Sequence, residues 1–247
     1  MQEKPLLKKS HIIPDFFYVQ AGLYNESHHI QKINVQKFLE SKHISYVPTG
    51  IYDKEILCEK CDRNIIGKLE TYGRTILFGG STKDKEIRCE NFRNPNDGFS
   101  YSIFENVNYH KFKLFLLSIL WRSAISKNEL LKDVEIIENY LEDLRRMIYD
   151  GNPRKFNDFP IITGTYLMDV KVPADFIGQP IKSETEEGII ITFLLAGFVF
   201  AFNVQNDFKD LESIEPFTPT PDNKFGIIHF PKGQGWEFIL KYTNIKK

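Results

Sequence analysis

Cysteine is scarce in this chain of 247 residues: only Cys58, Cys61 and Cys89 occur. An odd, low count argues against a secreted disulfide framework and for a reducing compartment. An excess of charge of one sign is also missing. The 32 Lys and Arg meet 33 Asp and Glu, for a net charge of −1. No global electrostatic footprint for nucleic acid exists, so a polyanion site must concentrate its cations locally. The amino terminus carries charges but no apolar run of signal-peptide length, and a cytoplasmic location is expected. Internal repeats and low-complexity segments are absent. One long apolar run, "GIIITFLLAGFVFAFNV" at 188–204, reaches the short edge of membrane-spanning length. Its β-branched and aromatic content predicts a buried strand pair turning near Ala196-Gly197, or one long bent strand, and no membrane partner.

What the chain has in quantity is aromatic residues, 21 Phe and 11 Tyr, which predict an aromatic-rich core. Its 42% apolar and 26% charged residues are ordinary globular composition. The expected architecture is α+β in three stretches. Residues 1–100 hold short apolar runs; "ISYVPTGIYDKEILC" reads as a hairpin about Pro48-Thr49-Gly50. "DRNIIGKLETYGRTILF" has helical spacing with a break near Gly73, and 79–100 reads as loop. Residues 101–151 predict a helical hairpin. Its first helix is apolar around most of its circumference. Its second carries Ile137, Tyr140, Leu141, Leu144 and Ile148 as a stripe, with Asp133 as N-cap and Gly151 as the stop. Arg122 is expected to pair with Glu135 or Glu138, and Glu142 with Arg145 or Arg146. Residues 152–247 are β-rich, with strand-like "PIITGTYLMDVKV", "FGIIHF" and "WEFILKYTNI" and a surface loop over 205–224.

Two features could carry chemistry. "LCEKCD" places Cys58 and Cys61 at C-x-x-C spacing, where a turn points both sulfurs the same way and can share one zinc. Structural zinc is doubtful, because two further ligands are needed and no second cysteine pair exists. A redox reading lacks the βαβ pattern expected around such a motif. The second feature is His11 in "SHIIP", a histidine beside an apolar run.

"KSHIIP", "ILCEKCD" and "FLLSILWRSAIS" occur in that order over about residues 8–150. This order resembles the HNH (ββα-metal, treble-clef) endonuclease group, and more closely a set of bacterial proteins sharing these segments. The resemblance implies a treble-clef-like ββα module followed by the central helical hairpin and the β-rich part. It also implies a divalent-metal-dependent nuclease that hydrolyses phosphodiester bonds, by analogy in anti-phage defence. His11 would be the general base, Asp62 the ligand of Mg or Mn, and Asn64 an orienting or weakly ligating group. Lys8 and Lys9 would meet backbone phosphates, with DNA expected ahead of RNA. The β-rich part is a candidate surface for a protein partner. The chain departs from the pattern in three places: Ser10 replaces the acid before the histidine, Asp62 replaces the last histidine, and the upstream cysteine pair is missing. The alternative is therefore a catalytically inactive HNH-derived interaction or nucleic-acid-binding module.

Overall fold

The computed structural model describes residues 5–32, 41, 45–80, 86–96, 98–167, 176–205, 210–231 and 233. An amino-terminal β-α-β unit comes first: β1 (Ser10–His11), α1 (Asp15–Gln20) and β2 (Ile30–Lys32). β3 (Ser45–Val47) and β4 (Tyr52–Asp53) follow, but they do not pair with one another as the expected hairpin. β3 joins β2, with Ile30 opposite Val47, and β4 joins β1, with Ser10 opposite Asp53 and His11 opposite Tyr52. The reason lies in the linking Pro48-Thr49-Gly50 segment, which packs instead of doubling back. A Cβ on Gly50 would collide with the Tyr18 ring. The Tyr18 hydroxyl accepts from the Ile51 amide at 3.1 Å, and the Ile12 amide donates to the Ile51 carbonyl at 2.9 Å.

The next helix opens in widened π-type turns over Lys60–Ile66 and continues as α2 (Gly67–Phe78). No break occurs at Gly73. That glycine is instead the point of closest approach to the following helix, because a Cβ there would enter the Phe115 ring. The expected loop of 79–100 contains a regular strand. β5 (Arg88–Arg93) pairs along its whole length with β6 (Ser100–Glu105). Every β5 residue is exposed, so it carries no apolar alternation to announce a strand, and only its backbone ladder defines it.

The central helices match the periodicity. α3 (Tyr109–Ile125) is capped by Asn108, whose side chain accepts from the Lys111 amide at 3.0 Å. It is buried from Phe112 to Leu120, as a helix apolar on all sides must be. α4 (Glu138–Asp150) ends at Gly151, left-handed with φ 70°, and the Asn152 amide returns to the Met147 carbonyl at 2.9 Å. Its N-cap is Ile137, which is exposed, not Asp133. Asp133 lies four residues before that cap, out of reach of the first helical turn, and accepts from Gln179 at 3.1 Å. Glu142 takes both Arg145 and Arg146, as the helical spacing predicts.

The remaining strands are β7 (Ile161–Thr165), β8 (Ile181–Thr185), β9 (Gly188–Leu195), β10 (Phe198–Asn203) and β11 (Lys224–His229), with a short α5 (Leu211–Ile214) before the last. They form one seven-stranded sheet with the two earlier strands, in the order β5-β6-β11-β7-β10-β9-β8. Only the β11–β7 pair is parallel. Residues 188–204 are the β9–β10 hairpin, turning at Ala196 and Gly197 with φ of 52° and 89°. Positive φ at both central residues matches the twist of the flanking strands. No helix among the described residues is long and apolar enough to cross a membrane. Within the expected surface loop, Ile214, Thr218 and Thr220 are buried. The expected strand "WEFILKYTNI" lies outside the described residues. One aromatic core joins the layers, with Phe17 against Phe115 and Phe200, and Phe112 against Phe225.

Candidate functional site

β1 presents alternate side chains to opposite sides, and this sets the site. Ser10 points inward, 1% exposed, and its Oγ has no hydrogen-bond partner. His11 points outward into an open cleft between β1 and the start of the α2 helix. The cleft holds about 380 Å³ and is lined by Lys9, His11, Asp62, Arg63, Lys68, Glu70 and Arg122 among others. The π-type turns bring Asp62 and Arg63 to one wall, and the first α-helical turns add Lys68 and Glu70.

Arg122 forms the floor. It projects from the last turns of α3 with only 1% of its side chain exposed. Its guanidinium donates to the His11 carbonyl at 2.7 Å, to Glu70 Oε1 at 2.7 Å and to the Ser118 carbonyl at 3.1 Å. One buried fork thus ties the β1 strand to α2. The expected partners Glu135 and Glu138 are not used. Glu135 pairs with Lys182 instead, and the position of α2 against α3 offers Glu70 at closer range.

Around the imidazole, His11 Nε2 lies 3.1 Å from Thr49 Oγ1 and 3.8 Å from Asp15 Oδ1. Asp15 also accepts from the Tyr24 hydroxyl at 2.5 Å. Burial holds the His11 imidazole below its usual range. Asp15 opposes that shift, Lys9 reinforces it, and Glu70 and Arg122 pull in opposite directions. The ring is therefore neutral near pH 7, a hydrogen-bonding group and not a fixed cation. Lys9 donates to Thr49 Oγ1 at 3.1 Å and lies over the Tyr52 ring. Lys68 makes no ion pair among the described residues.

The sequence-expected residues divide between two places. His11, Asp62 and Lys9 share the cleft. Cys58 and Asn64 line a separate one, with Pro5, Glu59, Lys60 and Arg63. Lys8 is exposed and lines neither.

Among the described residues, no group of three or more His, Cys, Asp and Glu side chains could hold a metal ion. This overturns the expected metal-dependent nuclease, the Mg or Mn ion assigned to Asp62, and a zinc on Cys58 and Cys61. The residues do not fit such an ion. The acid nearest the imidazole is Asp15, the first residue of α1, while Asp62 stands on the other wall, Cys58 borders the second cleft and Cys61 packs against the core. No protein-family model, curated protein or solved structure matches this chain.

Asp15, Thr49, Lys68, Glu70 and Arg122 were not legible as site residues. By local pattern Thr49 belongs to a hairpin turn, and Arg122 to an ion pair with Glu135 or Glu138. Only the helix spacing of Glu70 from Asp62, two turns along one face, could have suggested that α2 lines the site.

Proposed function

We propose that this protein is a non-catalytic, HNH-derived module that holds the sugar–phosphate backbone of a nucleic acid in the His11 cleft. The observation that carries this reading is the charge of the cleft. Lys9, Arg63, Lys68 and Arg122 line the cleft against Asp62 and Glu70; Glu70 is committed to Arg122 and Arg63 to Glu59, so Lys9 and Lys68 are the cations without a carboxylate partner among the described residues. A chain of near-zero net charge has here concentrated cations in one concave place, where phosphate contacts need them. A neutral His11 and Thr49 add hydrogen-bonding groups of the kind that position a phosphate oxygen.

The HNH ancestry is supported by the order of parts. A histidine strand pairs antiparallel with the strand before the cysteine knuckle, and a helix follows directly. The inward-facing Ser10, in place of an acid, supports the loss of chemistry.

Fluorescence anisotropy with labelled duplex DNA, single-stranded DNA and RNA tests the proposal. Binding is expected for at least one of them, unaffected by excess chelator. In a Lys9→Ala/Lys68→Ala variant, the slope of log affinity against log salt should shrink by roughly one unit per phosphate contact removed. No binding to any of the three, or an unchanged slope in the double variant, would refute it.

A further inference from the structure

The two thiols at the head of the α2 helix take no part in the His11 cleft. Cys58 closes an isolated antiparallel bridge with Leu6, and its carbonyl accepts from the Asp62 amide at 3.0 Å. Cys61 follows three residues later, within the first turns of the helix. Their sulfurs lie 3.5 Å apart, and neither cysteine is in a disulfide. A disulfide requires a sulfur separation of about 2.05 Å and Cβ atoms about 3.5–4.5 Å apart. The Asp62 amide on the Cys58 carbonyl closes a turn that brings the two side chains together at the start of the helix. A further approach of about 1.5 Å brings the two sulfurs to bonding distance.

Access differs between the two. Cys58 borders the second cleft, an open space of about 410 Å³ flanked by Lys60, Arg63 and Asn64. Both thiols are half-buried, but Cys61 packs against the hydrophobic core. We propose that Cys58 and Cys61 form a thiol–disulfide exchange site whose co-reactant is a low-molecular-weight disulfide admitted by this cleft. The Cys58 thiolate attacks one sulfur of the small disulfide, forming a mixed disulfide and releasing the first small thiol. The Cys61 thiolate then attacks the Cys58 sulfur, closing the Cys58–Cys61 bond and releasing the second. The protein dithiol loses two electrons, the small disulfide gains them, and the two protein thiol protons end on the two released thiols. The reverse reaction with excess small thiol restores the dithiol. This site stands independently of the nucleic-acid reading.

The test uses the full chain, with glutathione disulfide as the probe at neutral pH. Acid quenching, alkylation of remaining thiols and peptide mass spectrometry locate each cysteine. The expected product is a Cys58–Cys61 disulfide, while the exposed Cys89 goes no further than a mixed disulfide with glutathione. In Cys61→Ser the mixed disulfide accumulates on Cys58. It forms there roughly tenfold faster than on Cys61 in Cys58→Ser, because access sets the rate. The proposal is overturned if native protein forms no internal disulfide, if that bond appears only after addition of urea, or if the internal disulfide involves Cys89. Circular dichroism of the wild-type chain before and after oxidation separates these outcomes from unfolding.

Discussion

Arg122→Met tests the central joint of the molecule. Methionine keeps the length of the arginine stem and its packing within α3 but removes the fork. The lost donors are those to the His11 carbonyl at 2.7 Å, Glu70 Oε1 at 2.7 Å and the Ser118 carbonyl at 3.1 Å. Removing one partner of a fully buried ion pair costs about 3–5 kcal/mol, chiefly because the other charge stays buried and uncompensated. Here Glu70 is 24% exposed and regains some water, so the expected cost falls to about 2–4 kcal/mol. With a urea slope near 3 kcal/mol/M, the unfolding midpoint should drop by about 1 M. Trp121, next to the mutated position, reports the transition by fluorescence. Glu70→Gln, which keeps the shape and a hydrogen bond, should cost about 1–2 kcal/mol. The double variant should cost less than the sum of the two, because both remove the same interaction. A midpoint shift below about 0.3 M for Arg122→Met, or strict additivity in the cycle, would show that the fork does not join β1 to α2.

Two other outcomes can be checked by the same measurement. Gly73→Ala improves intrinsic helix propensity by about 1 kcal/mol, yet the added methyl meets the Phe115 ring. Overpacking of about 1–3 kcal/mol should win, and a stabilised variant would refute the close approach of α2 and α3. Lys113, fully buried, donates to the Tyr109 hydroxyl at 3.3 Å and to the Lys155 and Phe156 carbonyls. Burial pushes its ammonium down to about 7 from 10.5, against the pull of Asp158 and with a smaller push from Arg154. Between those values the unfolded chain binds more protons, so this group's contribution to stability rises with pH through that window and is lost as pH falls towards 7. The wild-type urea midpoint should gain from about pH 7 to about pH 9 relative to Lys113→Met; equal pH slopes would refute the assignment.

Features written in local periodicity were legible from residues alone. α3 announces itself by apolar residues on every face, α4 by its stripe and its Gly151 stop, and the 188–204 hairpin by β-branched residues around Ala196-Gly197. β5 was not legible, because an exposed edge strand obeys no burial pattern and exists through its pairing with β6. Nor were the partners of β3 and β4, since the chain between them packs on Tyr18 instead of reversing.

The sequence by itself determined the α+β class and the central helices. Those follow from local spacing, which acts over a few residues. Which groups surround His11 was decided only in three dimensions. Arg122 reaches Glu70 across 52 residues and the His11 carbonyl across 111, and Thr49 arrives from a segment whose local pattern predicts a turn. A site made of charges depends on which charges are left over after burial has paired the rest. That selection is made by the packing of α2 against α3, and it turned an expected metal centre into a cationic cleft.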